Sequence, residues 1–388
     1  MKKFRNFQYL LSVSLVFMLF VVAGCPEVEE TNPTKQGTPG LPADPGANNL
    51  AGKVTGTVNG QPLDGVQVKA NGKTTYTNSD GTFVLYGVGS GSLGVEISGS
   101  QVYTRLAAVN TNAGRSVLLD AIEISSSFHL GFYREIARGN HPNEKDINPT
   151  HRWVNPTPPT FYIDTDASVT QDGVIDANQI NIVRDVIEKV VPVFTGNIYT
   201  SVSIVERPFT SLDFEEDIPD NAYVISFDDS LMWLLGAFGV TMTDPNFVSA
   251  NTSFINKTVI RLVDDMSFYS RGGIGFDEVT AHEMGHGFGF RHTSLLPSVM
   301  VAIGAFGGLY GQNDIVHMAV LYKRPAGNRD LDSDPLPGAK YSDKALARQV
   351  FVDRREIQLT PEEIERLQAL PDDKLPAADL ELMRNSTY

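Results

Sequence analysis

The chain has 388 residues, 41% hydrophobic and 20% charged, an ordinary globular composition that excludes wholesale disorder and leaves room for more than one domain. With 46 acidic against 31 basic residues the net charge is −15, which argues against a nucleic-acid partner, because that binding rests on Lys and Arg neutralising phosphates. A single cysteine excludes a disulfide framework.

Residues 1–24 open with Lys2, Lys3 and Arg5 and continue as an apolar run from Tyr9 to Val22. That is the pattern of a signal peptide, too short between its flanks for a comfortable membrane span. Val22-Ala23-Gly24-Cys25 resembles the bacterial lipobox, and the resemblance implies that Cys25 is acylated and becomes the new N-terminus. An uncleaved anchor helix is the alternative. The expected location is extracytoplasmic, with lipid on Cys25 as the membrane contact; Pro26, where Asp is absent, leans toward the outer membrane. The rest of the stretch 25–49 has no hydrophobic period and is rich in Pro, Gly and polar residues, as a solvated tether would be.

Between residues 50 and 124, short β-prone runs alternate with Asn59-Gly60, Asn71-Gly72 and Asp80-Gly81. These pairs supply the positive φ that tight hairpins need, so the spacing predicts a small all-β sandwich. The pattern "QPLDGVQVKA…TYTNSDGTFVLYGV" resembles the carboxypeptidase-regulatory domain, which implies a spacer or binding module.

Residues 125–322 are mixed in texture, and the region reads as an α+β domain. "TFYIDTD", "SVSIVE", "AYVISFD" and "TVIRLV" are predicted strands. Asp176 to Gln179 is a predicted capping box opening a helix in which Ile180, Val183, Ile187 and Val190 recur at helical spacing and which Pro192 should end. The carboxylates of "DTDASVTQDGVID" lack the spacing of a calcium loop; they read as loop solvation, with calcium as the alternative. From 323 to 388 the chain is charged and Pro-punctuated, a helical extension with Thr360 capping a helix that carries Ile364, Leu367 and Leu370.

The stretch "HEMGHGFGFRH" holds three of the seven histidines. On a helix His282 and His286 project from one face a turn apart, close enough to share an ion. A catalytic zinc takes three protein ligands, and Gly289 can take the left-handed conformation that stops the helix and turns His292 back to the same metal. Glu283 stands beside a ligand, placed to reach an attacking water rather than the metal. At background frequencies these five positions coincide on the order of once in 10⁵ chains of this length, so incidental histidines are the weaker reading.

The motif resembles the metzincin signature HExxHxxGxxH. The resemblance extends to "PSVM", where Met300 takes the place of the turn methionine beneath the metal at a matrixin-like spacing, and to "GQNDIVHMAVLY" as a closing helix. It implies a zinc endopeptidase acting on protein or peptide, with Glu283 as general base. It also implies an extended substrate antiparallel to an edge strand upstream of the motif, for which "TVIRLV" is the candidate. Thr293 leaves the branch of the family open, and Ala302 stands where other branches carry a zinc-ligating tyrosine. Cys25 is committed elsewhere, so a cysteine switch is excluded by count. The small, apolar run "VAIGAFGGLY" suggests a hydrophobic specificity pocket. The competing class is a non-catalytic surface lipoprotein that binds protein or glycan through the sandwich; a structural zinc site is disfavoured because such sites are closed by four ligands and lean on cysteine.

Overall fold

A computed structural model describes residues 40–139, 148–249, 252–302, 305–336, 349–354 and 358–370, with Lys374 and Glu381. The expected leader, Cys25 and the tether as far as residue 39 lie outside the described residues. All described residues belong to one compact unit, Gly40–Tyr388. Among them no helix is long and apolar enough to cross a membrane.

Seven strands come first: β1 (Leu50–Gly56), β2 (Gln67–Ala70), β3 (Lys73–Tyr76), β4 (Thr82–Leu85), β5 (Ser92–Gly99), β6 (Val102–Asn110) and β7 (Ser116–Ala121). They form a three-stranded sheet ordered β4-β1-β7 and a four-stranded sheet ordered β3-β2-β5-β6. Side chains alternate along β5, so that Leu93, Val95 and Ile97 turn inward and meet Val54, Phe83 and Leu85 of the other sheet in one apolar cluster. Asn71 and Gly72, with φ of 46° and 73°, make the two-residue turn between β2 and β3, where both positions need positive φ.

The remaining elements are α1 (Leu130–Arg138), β8 (Thr160–Asp164), α2 (Ala177–Phe194), β9 (Ser203–Arg207), β10 (Ala222–Phe227), α3 (Ser230–Leu235), β11 (Ala237–Ser249), β12 (Thr252–Leu262), α4 (Met266–Gly272), α5 (Phe276–Gly287), α6 (Gln312–Tyr322), β13 (Gln349–Arg354) and α7 (Pro361–Gln368). The fold class is α+β. One six-stranded sheet runs β13-β11-β12-β10-β8-β9; β9, β8, β10 and β12 are mutually parallel, and β11 and β13 join antiparallel. Every residue of β10 is buried, as expected of a central strand covered on both faces. Val183, Ile187 and Val190 of α2 and Val279, Ala281 and Met284 of α5 contribute to the same core.

Three expectations are corrected. The capping box at Asp176 and Gln179 forms, but Pro192 lies inside α2 rather than ending it. The carbonyl that a residue at 192 would have bonded belongs to Glu188, on the exposed side, where water can satisfy it. "TVIRLV" lies in β12, which is paired on both sides and is no edge. The strand beyond it, β11, follows α3 through Gly236 alone, so no loop signal announces it. The extension from 323 is helical at α7, but it also supplies the strand β13.

The two predicted domains are also joined more closely than a spacer would be. Residues 323–336 lie against β6: Leu106 N donates to Asp332 O at 2.9 Å and Asp334 N to Leu106 O at 2.8 Å. Arg324, fully buried, bonds Asp332 at 2.6 Å and Asp120 of β7 at 2.8 Å. Arg105 of β6 bonds Asp120 at 2.8 Å and Asp334 at 3.0 Å. Burial opposes the charge of Arg324, but Asp332 and Asp120 outweigh it and raise its pKa. Burial likewise pushes Asp120 up, and Arg324 and Arg105 more than offset this. A chain beginning near Ser125 would strip counter-charges from Arg324, Asp332 and Asp334, so independent folding of the larger part is not to be expected.

Candidate metal centre

The centre begins with α5, whose last turn is held by aromatic donors. Tyr223 donates from its hydroxyl to Met284 O at 2.8 Å, Trp153 from Nε1 to Gly287 O at 2.8 Å, and Tyr322 from its hydroxyl to Phe288 O at 3.0 Å. These donors cap carbonyls at the helix end in a dry core, where Met284 O also accepts from Phe288 N at 3.0 Å. Gly289 follows with φ of 98°, and a β-carbon there would fall 2.1 Å from His151 O. Both the backbone conformation and the close approach demand glycine.

That turn returns His292 to α5. The Nε2 atoms of His282, His286 and His292 stand 3.1 to 3.2 Å from one another. His282 Nδ1 lies 2.7 Å from Val299 O and His286 Nδ1 2.8 Å from Phe290 O. A carbonyl only accepts, so in both rings the proton sits on Nδ1 and the Nε2 lone pair faces the other histidines. Burial first, and then the neighbouring His292 and His282, hold His286 well below the usual histidine pKa, which keeps it neutral. Three converging Nε2 atoms, two of them with the lone pair turned inward, suit a cation. Tetrahedral zinc with bonds of 2.0–2.1 Å would separate adjacent nitrogens by about 3.3 Å, close to the spacing here. The three histidines could therefore hold a metal ion.

Glu283 is fully buried rather than a solvated residue of the helix surface. Its Oε2 accepts from Thr241 Oγ1 of β11 at 2.5 Å, and a β-carbon on Gly239 would come within 2.5 Å of its Oε1. β11 thus cradles the carboxylate with one hydroxyl and one bare backbone position. Met300 is buried against α5, and a β-carbon on Gly285 would meet its sulfur at 2.3 Å.

Several residues that hold these groups escaped the sequence reading. Asp314 of α6 accepts from Val299 N at 3.1 Å, from Gly311 N at 2.8 Å and from the Ser298 hydroxyl, and so fixes the turn that carries Met300 and the carbonyl on His282. Glu135 of α1 accepts from the Thr293 hydroxyl at 2.7 Å and Ser294 N at 2.9 Å, bracing the segment after His292. Neither lies near the motif in sequence. Phe351 of β13 stacks on the His286 ring, with centroids 4.3 Å apart and planes within 3°, and the Arg291 guanidinium lies 5.5 Å from the Phe351 centroid.

The run "DTDASVTQDGVID" is divided by the fold. Asp164 bonds Lys374 at 2.9 Å and the Ser226 hydroxyl at 2.7 Å, a structural anchor. Asp172 and Asp176 instead line a cleft with Asp229, Asp264 and Asp265.

No family model matches the chain, and no curated protein matches it. Among solved structures, a 9R-lipoxygenase from Cyanothece matches with 11% identity over 41% of this chain and 26% of that chain, at a TM-score of 0.14. The chain thus spans about a quarter of that structure, a likeness too slight to bear on fold or function.

Proposed function

We propose that the protein is a zinc endopeptidase of the metzincin kind, exported and tethered to the cell envelope by lipid on Cys25. The observation that carries the reading is the convergence of three histidine Nε2 atoms, with the proton placed on the far nitrogen of two of the rings. His282, His286 and His292 would hold the zinc, which when bound supplies Lewis acidity toward a carbonyl and toward water. Glu283 takes the proton of the attacking water and hands it to the leaving amine. Thr241 keeps that carboxylate in one rotamer, and Met300 packs beneath the helix that bears two of the histidines. β11, paired with β12 on one side and only with the short β13 on the other, would take the role of the upstream strand that the resemblance implies. The N-terminal strands, two sheets over one core, suit a carboxypeptidase-regulatory-like sandwich.

Zinc content and peptide cleavage of the full chain test this. His292→Ala is expected to lose zinc and activity together, because the histidines are the whole protein shell. Glu283→Ala is expected to keep about one zinc per chain and lose about 10²–10⁴-fold in rate. Turnover within about threefold of the unaltered chain would refute the mechanism. The second reading, a non-catalytic surface lipoprotein, draws on Tyr76 and Tyr86 of the N-terminal strands, 59% and 69% exposed. A zinc-loaded chain that cleaves nothing across a broad peptide library would favour it.

A further inference from the structure

We infer that Gln349–Arg354 of this chain occupy the side of β11 proposed above for substrate and compete with it there, Phe351 taking the place of a substrate aromatic side chain. The inference rests on the peptidase reading and names how that site is regulated.

The backbone carries the first part of the argument. β11 contributes Thr241 and Gly239 to the Glu283 carboxylate, so whatever pairs with its other side lies along the candidate centre. β13 does so: it runs antiparallel to β11, with Thr243 opposite Gln349, Thr241 opposite Phe351 and Ala237 opposite Arg354. The residue that faces Glu283 on β11 is thus the one whose cross-strand partner is Phe351. In recognition by strand addition, main-chain hydrogen bonds give affinity and alternate side chains give specificity.

The side chain carries the second part. Phe351 does not turn away from the centre; its ring lies flat on His286, one of the three candidate ligands, and Arg291 approaches the same ring. An aromatic group held there covers one wall of the metal cluster. A peptide that pairs with β11 in the same sense would place a side chain in the same position. The segment is six residues long and begins 100 positions after β11 ends, so its pairing is a tertiary choice rather than a hairpin closure.

Tethering sets the size of the effect. A segment held by the chain acts at an effective concentration of about 1 mM, so one whose own affinity is about 100 μM raises the apparent KM of a competing peptide about tenfold. Activity would then wait on release of β13.

The experiment uses the full chain and two readouts. Phe351→Pro combined with Val352→Pro removes neighbouring N–H groups, one of which faces β11 whichever way the ladder alternates. A labelled peptide, QVFVDR, is titrated into unaltered and variant chains by fluorescence anisotropy, a measurement that needs no turnover and so stands even if the peptidase reading fails. The expected result is at least tenfold tighter binding to the variant, weakened at least tenfold when the peptide carries Ala in place of Phe. If the chain is a peptidase, the variant should also show KM lowered about tenfold. A folded variant that binds the peptide no tighter than the unaltered chain overturns the inference. Should the double proline fail to fold, Phe351→Ala carries the same titration, and unchanged affinity there overturns it equally.

Discussion

The ionic network between β6, β7 and residues 323–334 and the histidine cluster at the end of α5 are both largely buried, yet only the first brings its own counter-charges. Arg105 and Arg324 face Asp120, Asp332 and Asp334, and each guanidinium has a carboxylate within 3.0 Å. The histidines face one another through their Nε2 atoms and bring no counter-charge. A closed set of ions joins parts of a fold; a set left open toward a cation is a site. That difference separates structural from functional burial here better than burial itself does.

The largest expected effect tests the closed set. Arg324→Met leaves Asp332 and Asp120 short of positive charge in a dry environment and should cost about 3–5 kcal/mol. Urea unfolding would measure it, and a midpoint unchanged from the parent chain would mean that the network is not closed after all. Zinc stoichiometry of the folded fraction should stay the same, because the open set is separate.

Next comes the geometry of the open set. Gly289→Ala forces a β-carbon into positive φ and onto His151 O, a strain of about 2–3 kcal/mol. Competition with a chelator should then show zinc affinity lowered by roughly 100-fold. Equal affinity would show that the turn does not place His292.

A third assembly, the cleft lined mainly by carboxylates, sharpens the contrast. Burial, followed by Asp229 and Asp172, raises the pKa of Asp264 to about 7. Its folded pKa lies above the unfolded value of 3.8, so its stabilising proton is fully held below about pH 4 and lost as pH rises through 7. The parent chain should lose about 2 kcal/mol from this group between pH 5 and pH 8. Asp264→Asn should lack that decline. Parallel stability curves for the two chains would refute the assignment.

The smallest effect concerns how Glu283 is held. Thr241→Val deletes the hydroxyl that donates to Oε2 and should lower kcat about tenfold at nearly constant KM, with the acid limb of the pH profile shifted upward. Thr241→Ser, which keeps the donor, should restore both. A kcat equally reduced in both variants would point to packing rather than to the hydrogen bond.

Legibility in the sequence followed contact distance along the chain. The capping box of α2 and the Asn71-Gly72 hairpin were readable because the interacting groups are two or three residues apart. Pro192 misled because its cost depends on which side of α2 meets solvent. β11 is hard to read because only Gly236 separates it from α3, and nothing within "TVIRLV" states how many neighbours its strand has.

What the sequence determined by itself is the histidine geometry: 3.6 residues per turn fixes the relation of His282 to His286, and one glycine decides where the helix can stop. What only the tertiary structure decided is everything that reaches those groups from elsewhere: Asp314 under the Met300 turn, Glu135 behind His292, Thr241 on Glu283, Phe351 over His286 and the ionic joint at Arg324. These pairs are separated by 15 to 204 residues. A hydrogen bond or a stacked ring across such a gap imposes no period or spacing on the chain between, so the sequence carries no local trace of it.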